Sequence, residues 1–373
     1  MTPEQASAFD RLGIPTELVL LIPFFATIVG TPIARDIALA YKIVDAPIAG
    51  SSKTHRKSTP YLGGLPLFIA LMAGMFLVLH QTSRVLPPSF NIYLILAAFT
   101  LIFLVGLWDD LKGMIPGIKM FMLAVAGTIL FAGGGRISFI PDDWQIPGLI
   151  LAWILTLFWI LGITNAANLM DNMNGLSSGT GIVAGLSILA IATIGGDPVG
   201  IGLAMILVGA LLGYIFYNFP NAQIFFGDSG SITLGFYLSF LGIMAGRLPA
   251  PDGFNAAGQT LAPIIVMGVF VFDTFFVAFS RGKRKINFWW GGKDHTSHRF
   301  VNYGFSKTFA VILVWLLGAV FGGAAILAKI SPSWLSTLIA LFMLAAGIWF
   351  WRQLEKVPVE KVVIGASNVR IRK

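Results

Sequence analysis

Five polar side chains crowd one short stretch of this chain: Asn165, Asn168, Asp171, Asn172 and Asn174, in NAANLMDNMNGLSSG (165–179), between two strongly apolar runs. Asn165, Asn168 and Asp171 are three apart, so on a helical turn they share roughly one face. Amides and a carboxylate at a membrane boundary are costly unless water, a cation or a polar ligand satisfies them. A plain connecting loop would more readily be basic or rich in Gly and Pro, and this one has no Lys or Arg. It reads as a surface that binds something.

Three other motifs carry chemistry. GLWDDLKG (106–113) holds Asp109 and Asp110 side by side, and on a helix neighbouring side chains point about 100° apart. The two carboxylates therefore do different jobs: one acts as a base or faces a substrate, the other supports a cation or a Lys. The bland alternative is a solvated helix end, although unpaired Asp at a helix C-terminus is disfavoured by the macrodipole. FFGDSGS (225–231) puts Asp228 in a Gly/Ser turn before an apolar run. Amides at a helix start favour anions, and a carboxylate there suits a hard cation. Asp228 with Asn168 or Asp171 can bind Mg2+ through oxygen, leaving positions for phosphate oxygens and water. An intramembrane aspartyl protease fits poorly: its pattern has Gly where this chain has Phe225, and no span offers a partner Tyr-Asp.

DHTSHRF (294–300) follows RGKRK, with His295 and His298 three apart. Two His and an Asp can bind zinc, but the neighbouring Lys and Arg suit phosphates better; an ordinary basic loop is the third reading. TPYLGGLP (59–66), after the basic run through His55 and Arg56, reads alone as a turn. Asp273 lies inside an apolar run about two turns before Arg281. An intramembrane carboxylate is a functional candidate by default, and a hydrogen bond to a neighbouring helix accounts for it equally well.

The elements that must position these groups follow from composition. The 373 residues are 56% hydrophobic and 11% charged, against roughly 25% charged in soluble domains, and mean hydropathy is +0.83. This is an all-α, polytopic membrane bundle, one membrane-embedded domain over residues 1–373. The lack of Cys removes disulfides, thiolate metal sites and thiol nucleophiles. The N-terminus, with Arg11 its only basic residue, lacks the start of a cleavable signal peptide, so the first apolar run is kept as a span. Windows of about 20 apolar residues fall near 18–40, 63–80, 91–107, 115–133, 148–164, 176–194, 199–217, 230–247, 261–280, 308–328 and 335–351.

Eleven spans put the termini on opposite sides. Twenty Lys and Arg fall on one side, including the 281–307 loop and the basic tail 352–373, against five on the other (Arg11, Arg84, Arg136, Arg247, Lys329). The positive-inside rule then places the N-terminus outside and the C-terminus in the cytoplasm. It also explains the net charge of +8 without nucleic acid. Every polar cluster lands on the cytoplasmic surface, whereas transporters place polar residues near the midplane, and no internal repeat is evident.

In this order, the DD pair, NxxNxxD, GDxGS and HxxHR resemble the polyprenyl-phosphate N-acetylhexosamine-1-phosphate transferases, from about Asp45 to Ser306. That family includes the bacterial undecaprenyl-phosphate GlcNAc-1-phosphate enzymes and the MurNAc-pentapeptide translocase. The resemblance implies transfer of a sugar-1-phosphate from a UDP-N-acetylhexosamine to a polyprenyl phosphate at the inner membrane's cytoplasmic face. UMP leaves, Mg2+ is required with Mn2+ able to substitute, and the reaction is a first membrane step of cell-envelope polysaccharide synthesis. Carried over residue by residue, Asp228 and Asn168 look like the metal site with Asp171 nearby. Asp109, with Asp110 adjacent, looks like the residue that prepares the lipid phosphate. Lys119 stands where the family has a phosphate-contacting Lys, His295, His298 and Arg299 resemble the diphosphate clamp, and Phe225 and Asn174 resemble uracil-holding positions. Asn172 and Asn174 replace a Gly and an Asp usual in bacterial members. The absence of three consecutive His favours a GlcNAc-type donor over MurNAc-pentapeptide. Direct in-line attack is expected, with an aspartyl intermediate at Asp109 as the alternative. A homodimer and, in another class, a polytopic transporter or flippase stay open.

Overall fold

A computed structural model describes residues 15–45, 58–82, 86–87, 89–137, 140, 144–247, 256–287 and 292–359. The basic run through His55 and Arg56, and Arg11, Arg84 and the tail beyond residue 359, lie outside the described residues.

Each expected apolar run is helical. The helices are α1 (Thr16–Ala40), α2 (Gly64–Gln81), α3 (Ile92–Lys112), α4 (Pro116–Ala132), α5 (Gln145–Met170), α6 (Leu176–Ile194) and α7 (Pro198–Asn218). After these come α8 (Gly227–Ala245), α9 (Ala256–Val266), α10 (Gly268–Lys283), the short α11 (Thr296–Tyr303), α12 (Lys307–Ile330) and α13 (Ser333–Glu355). Strands β1 (Val44–Asp45) and β2 (Thr59–Pro60) form one antiparallel pair. Caps set several starts: Asn91 accepts from the Leu94 amide, Asp197 from Val199 just ahead of Pro198, and Ser306 from Phe309.

Among the described residues, eight helices are long and apolar enough to cross a membrane, and nine if α9 and α10 count as one. The expected single span 261–280 is in fact two helices bent by 60° at Met267. Pro263 one turn before the break and Gly268 just after it supply the reason, since neither favours an unbroken helix. The remaining two expected spans are α4, with 17 residues, and α8, which opens on polar GDSGS.

The core lies around α6, α7 and α8. The apolar window of α7 is 83% buried, that of peripheral α13 only 6%. Large rings fill the centre: Phe99 packs edge-on to Phe236 and Tyr237, and Tyr214 stacks on Phe226 at 4.0 Å. The close crossing of α3 over the start of α8 needs a glycine, because a Cβ on Gly106 would stand 2.5 Å from Ser229 Cα. Gly106→Ala is therefore expected to destabilise by at least the ~1–3 kcal/mol typical of overpacking, seen as a lowered thermal midpoint in detergent; an unchanged midpoint would show that the crossing can yield.

Candidate active site

The ends of α3, α5 and α8 bring their carboxylates together. Lys119, from the first turn of α4, places Nζ 2.9 Å from Asp109 Oδ2 and 3.2 Å from Asp228 Oδ2. Asp109 Oδ1 also accepts the Met114 amide at 2.7 Å, which fixes the turn between α3 and α4. On its other side, Asp228 Oδ1 accepts Asn168 Nδ2 at 2.7 Å, and the same nitrogen donates to Ser231 Oγ at 2.8 Å. Asp109, Lys119, Asp228 and Asn168 thus form one continuous row.

Asp110 does the different job that adjacency on a helix demands. Its two oxygens accept the Asp228 and Ser229 amides at 2.7 and 3.0 Å, capping the first turn of α8 from a neighbouring helix. These are orphan donors that α8 cannot satisfy itself. Gly227, with φ +69°, makes the approach: a Cβ there would lie 2.5 Å from Asp110 Oδ2. Asp110 therefore holds Asp228 in place rather than facing the cavity.

Beside this row opens a cavity of about 430 Å3 lined by Asn168, Asp171, Asn174, Phe225, Asp228 and His298, among others. Asp171 accepts Ser177 Oγ at 2.8 Å. Burial pushes the Asp171 carboxyl up to about 7 against that hydrogen bond, and the Asp228 and Asp110 charges add to the rise. The carboxylate, amide and hydroxyl oxygens of the wall are hard donors, which fits a cation such as Mg2+ rather than zinc, while Lys293 and His298 also line it. Among the described residues no three His, Asp or Glu side chains cluster closely enough to hold an ion by themselves. An ion here would take Asp228 and Asp171, with water and phosphate oxygens completing its shell; Asn168 turns its nitrogen toward Asp228 and is a second-layer donor as it stands.

The asparagine stretch is divided. Asn165 does not line the cavity, donating instead to the Leu161 carbonyl at 2.7 Å and lying 3.3 Å from Met120 Sδ. Asn172 donates to the Leu169 carbonyl and accepts Ser297 Oγ at 2.8 Å. Asn174 donates to the Pro220 carbonyl at 3.1 Å, so its amide oxygen is the end available to a ligand.

The HxxHR motif is divided too. His298 faces the cavity, and burial, with the adjacent His295 ring, pushes its pKa down to about 4, so it is neutral at pH 7. His295 and Arg299, expected to join it in a diphosphate clamp, are held by other partners in this structure. His295 Nδ1 lies 2.7 Å from Asp273 Oδ2, both residues buried. Arg299 donates to the Leu354 and Val357 carbonyls and to Ser280 Oγ, over the Phe276 ring. Successive side chains on α11 diverge by about 100°, so Arg299 cannot follow His298 into the cavity. Nor do the motif's Asp and His form a zinc site: Arg281 grips Asp294 through two bonds, 2.7 and 3.0 Å, and Arg284 adds a third. Burial alone would raise the Asp294 carboxyl, but these guanidiniums hold it at about 2.

Comparison with known proteins bears on this arrangement. The glycosyl transferase family 4 profile matches residues 92–246, the segment from α3 to the end of α8. A Bacillus subtilis (strain 168) protein named "Probable undecaprenyl-phosphate N-acetylglucosaminyl 1-phosphate transferase" is 30% identical over 338 residues, covering 90% of this chain and 91% of its own. The chain belongs to the polyprenyl-phosphate N-acetylhexosamine-1-phosphate transferase family. This transferase is also 28% identical to a decaprenyl-phosphate N-acetylglucosaminephosphotransferase of Mycolicibacterium smegmatis, over 84% of this chain and 83% of the relative. It is 29% identical to a phospho-N-acetylmuramoyl-pentapeptide-transferase of a Synechococcus species, over 83% and 86%.

Some of the transferase's cavity residues escape a reading of motifs. Asn218 accepts the Gly175 amide at 2.7 Å and donates to the Ile224 carbonyl at 2.9 Å, stitching the asparagine turn to the segment before Asp228. A lone amide closing an apolar span was the available signal. Asp45, Tyr61 and Lys293 also line the cavity. Asp45 and Tyr61 arrive from around the β1–β2 pair, which has no pattern of its own.

Proposed function

We propose that this transferase moves N-acetylhexosamine-1-phosphate, GlcNAc-1-phosphate in the first instance, from a UDP-sugar to polyprenyl phosphate. An oxygen of the lipid phosphate attacks the sugar-bearing phosphorus; the bond from that phosphorus to the UMP oxygen breaks, and UMP departs with the electron pair. The observation that carries this reading is the row Asp109–Lys119–Asp228–Asn168, with two different surfaces on its flanks. On one flank is the polar cavity, sized for a nucleotide sugar. Along α3 and α4 on the other, Trp108, Ile115, Ile118 and Phe121 are exposed apolar side chains suited to a lipid acceptor.

Phosphoryl transfer depends on alignment and charge neutralisation more than on covalent groups. Lys119 receives the acceptor phosphate and Asp109 keeps it deprotonated and aimed. Asp171 and Asp228 would hold Mg2+, which when bound would neutralise diphosphate charge. Asn174 and Phe225 hold the base, while His298 and Lys293 reach the diphosphate. The basic bias of one side supports an N-terminus outside, a C-terminus in the cytoplasm, the site at the inner face of the plasma membrane, and eleven spans with α4 and α8 included.

Purified protein, polyprenyl phosphate and radiolabelled UDP-GlcNAc in detergent with Mg2+ are expected to yield a lipid-linked sugar and UMP, and EDTA to stop the reaction. A preference for UDP-MurNAc-pentapeptide across a donor panel would reassign the sugar. Uptake into proteoliposomes with no lipid-linked product would instead mark a transporter.

A further inference from the structure

The short helix α11 carries His298 into the cavity, yet it has little to hold it by itself. Eight residues make a helix that is marginal in isolation, and its N-cap residue, His295, supplies no side-chain cap. The missing acceptor comes from α10. Asp273 Oδ1 accepts the Thr296 amide at 2.7 Å while Oδ2 holds His295 Nδ1 at 2.7 Å. Asp273 and His295 are 3% and 4% exposed, so neither reaches a ligand in the cavity. The His295 ring sits behind the His298 ring, centroids 6.0 Å apart. A buried carboxylate at a helix N-terminus is also where the macrodipole favours negative charge. Asp110 does the same for α8, so α8 and α11, which carry Asp228 and His298 to the cavity, are each capped by a carboxylate from another helix.

We propose that Asp273 is a positioning residue of the transferase: through the His295 ring and the Thr296 amide it fixes the first turn of α11, and so sets His298 against the donor's diphosphate. The inference rests on the transferase reading for what His298 does, but not for where Asp273 holds it. Asp273→Asn keeps the size and can still accept from Thr296, but it presents an NH2 group where His295 Nδ1–H needs an acceptor.

The test combines kinetics with nitrogen NMR of the histidines, of which there are four, His55, His80, His295 and His298. Asp273→Asn is expected to lower kcat/KM for the UDP-sugar about tenfold or more, with KM for the lipid acceptor unchanged within twofold, a split that general loss of fold does not give. In a His298→Ala background the same substitution is expected to cost almost nothing further, because coupled residues are non-additive. Additive losses, or wild-type kcat/KM in Asp273→Asn, overturn the proposal. The spectra need no turnover: 15N-histidine resonances of His298 should shift in Asp273→Asn and in His295→Asn, the second variant serving if the first does not fold. Unmoved His298 resonances overturn the positioning role even if no UDP-sugar is turned over, the outcome that separately defeats the transferase reading.

Discussion

Asp228→Ala is expected to reduce formation of lipid-linked sugar by at least ~10^3-fold, with no recovery at raised Mg2+. Loss of single preorganised charge-stabilising groups removes about 10^2–10^3 in rate, and Asp228 serves two partners at once. One oxygen balances Lys119, the other accepts from Asn168, and the carboxylate lines the cavity where the diphosphate would lie. The start of α8 is capped through backbone amides by Asp110 and does not use the Asp228 side chain, so the thermal midpoint should change little. Retention of a tenth of wild-type turnover, measured with radiolabelled UDP-GlcNAc, would remove Asp228 from the reacting region. Equal loss in Asp228→Asn would show that charge, not shape, is what counts.

Lys119→Met is expected to slow transfer about 10^2-fold, with most of the loss appearing as a raised KM for polyprenyl phosphate. The substitution keeps the apolar stem and deletes the ammonium that bridges Asp109 and Asp228, whose side chains are 14% and 34% exposed. Left facing each other, the two carboxylates repel. Adding Asp109→Asn to Lys119→Met should therefore restore thermal stability while leaving transfer slow, because relief of repulsion does not rebuild a phosphate contact. If the double variant regained turnover as well, Lys119 would be a structural counter-ion only, and the acceptor would have to be held elsewhere.

Much of the fold could be read from the sequence because bilayer thickness fixes run length. The expected run 176–194 matches α6 at both ends, and 199–217 misses α7 by one residue at each end. The break at Met267 was hidden because apolar residues continue through it. For the site, motif order brought Asp109, Asn168 and Asp228 to one place, and the structure brings them together. Side-chain direction was far less legible. A spacing of three implies a shared face only inside a helix, and His295 sits just outside one, in extended backbone. Asn165, well inside α5, finds its partner one turn back on its own helix. The union of Asn172 with Ser297 crosses 125 residues and follows no local pattern.

The hold of Arg299 on the Leu354 and Val357 carbonyls has a bearing on synthesis. Those acceptors lie 55 and 58 residues further along the chain, beyond α12 and at the end of α13. A nascent polypeptide that has already inserted every carboxylate of the row still lacks the brace beneath α11. The brace beneath α11 closes only after α13 has been synthesised and packed, so a chain cut before α13 is expected to lose it.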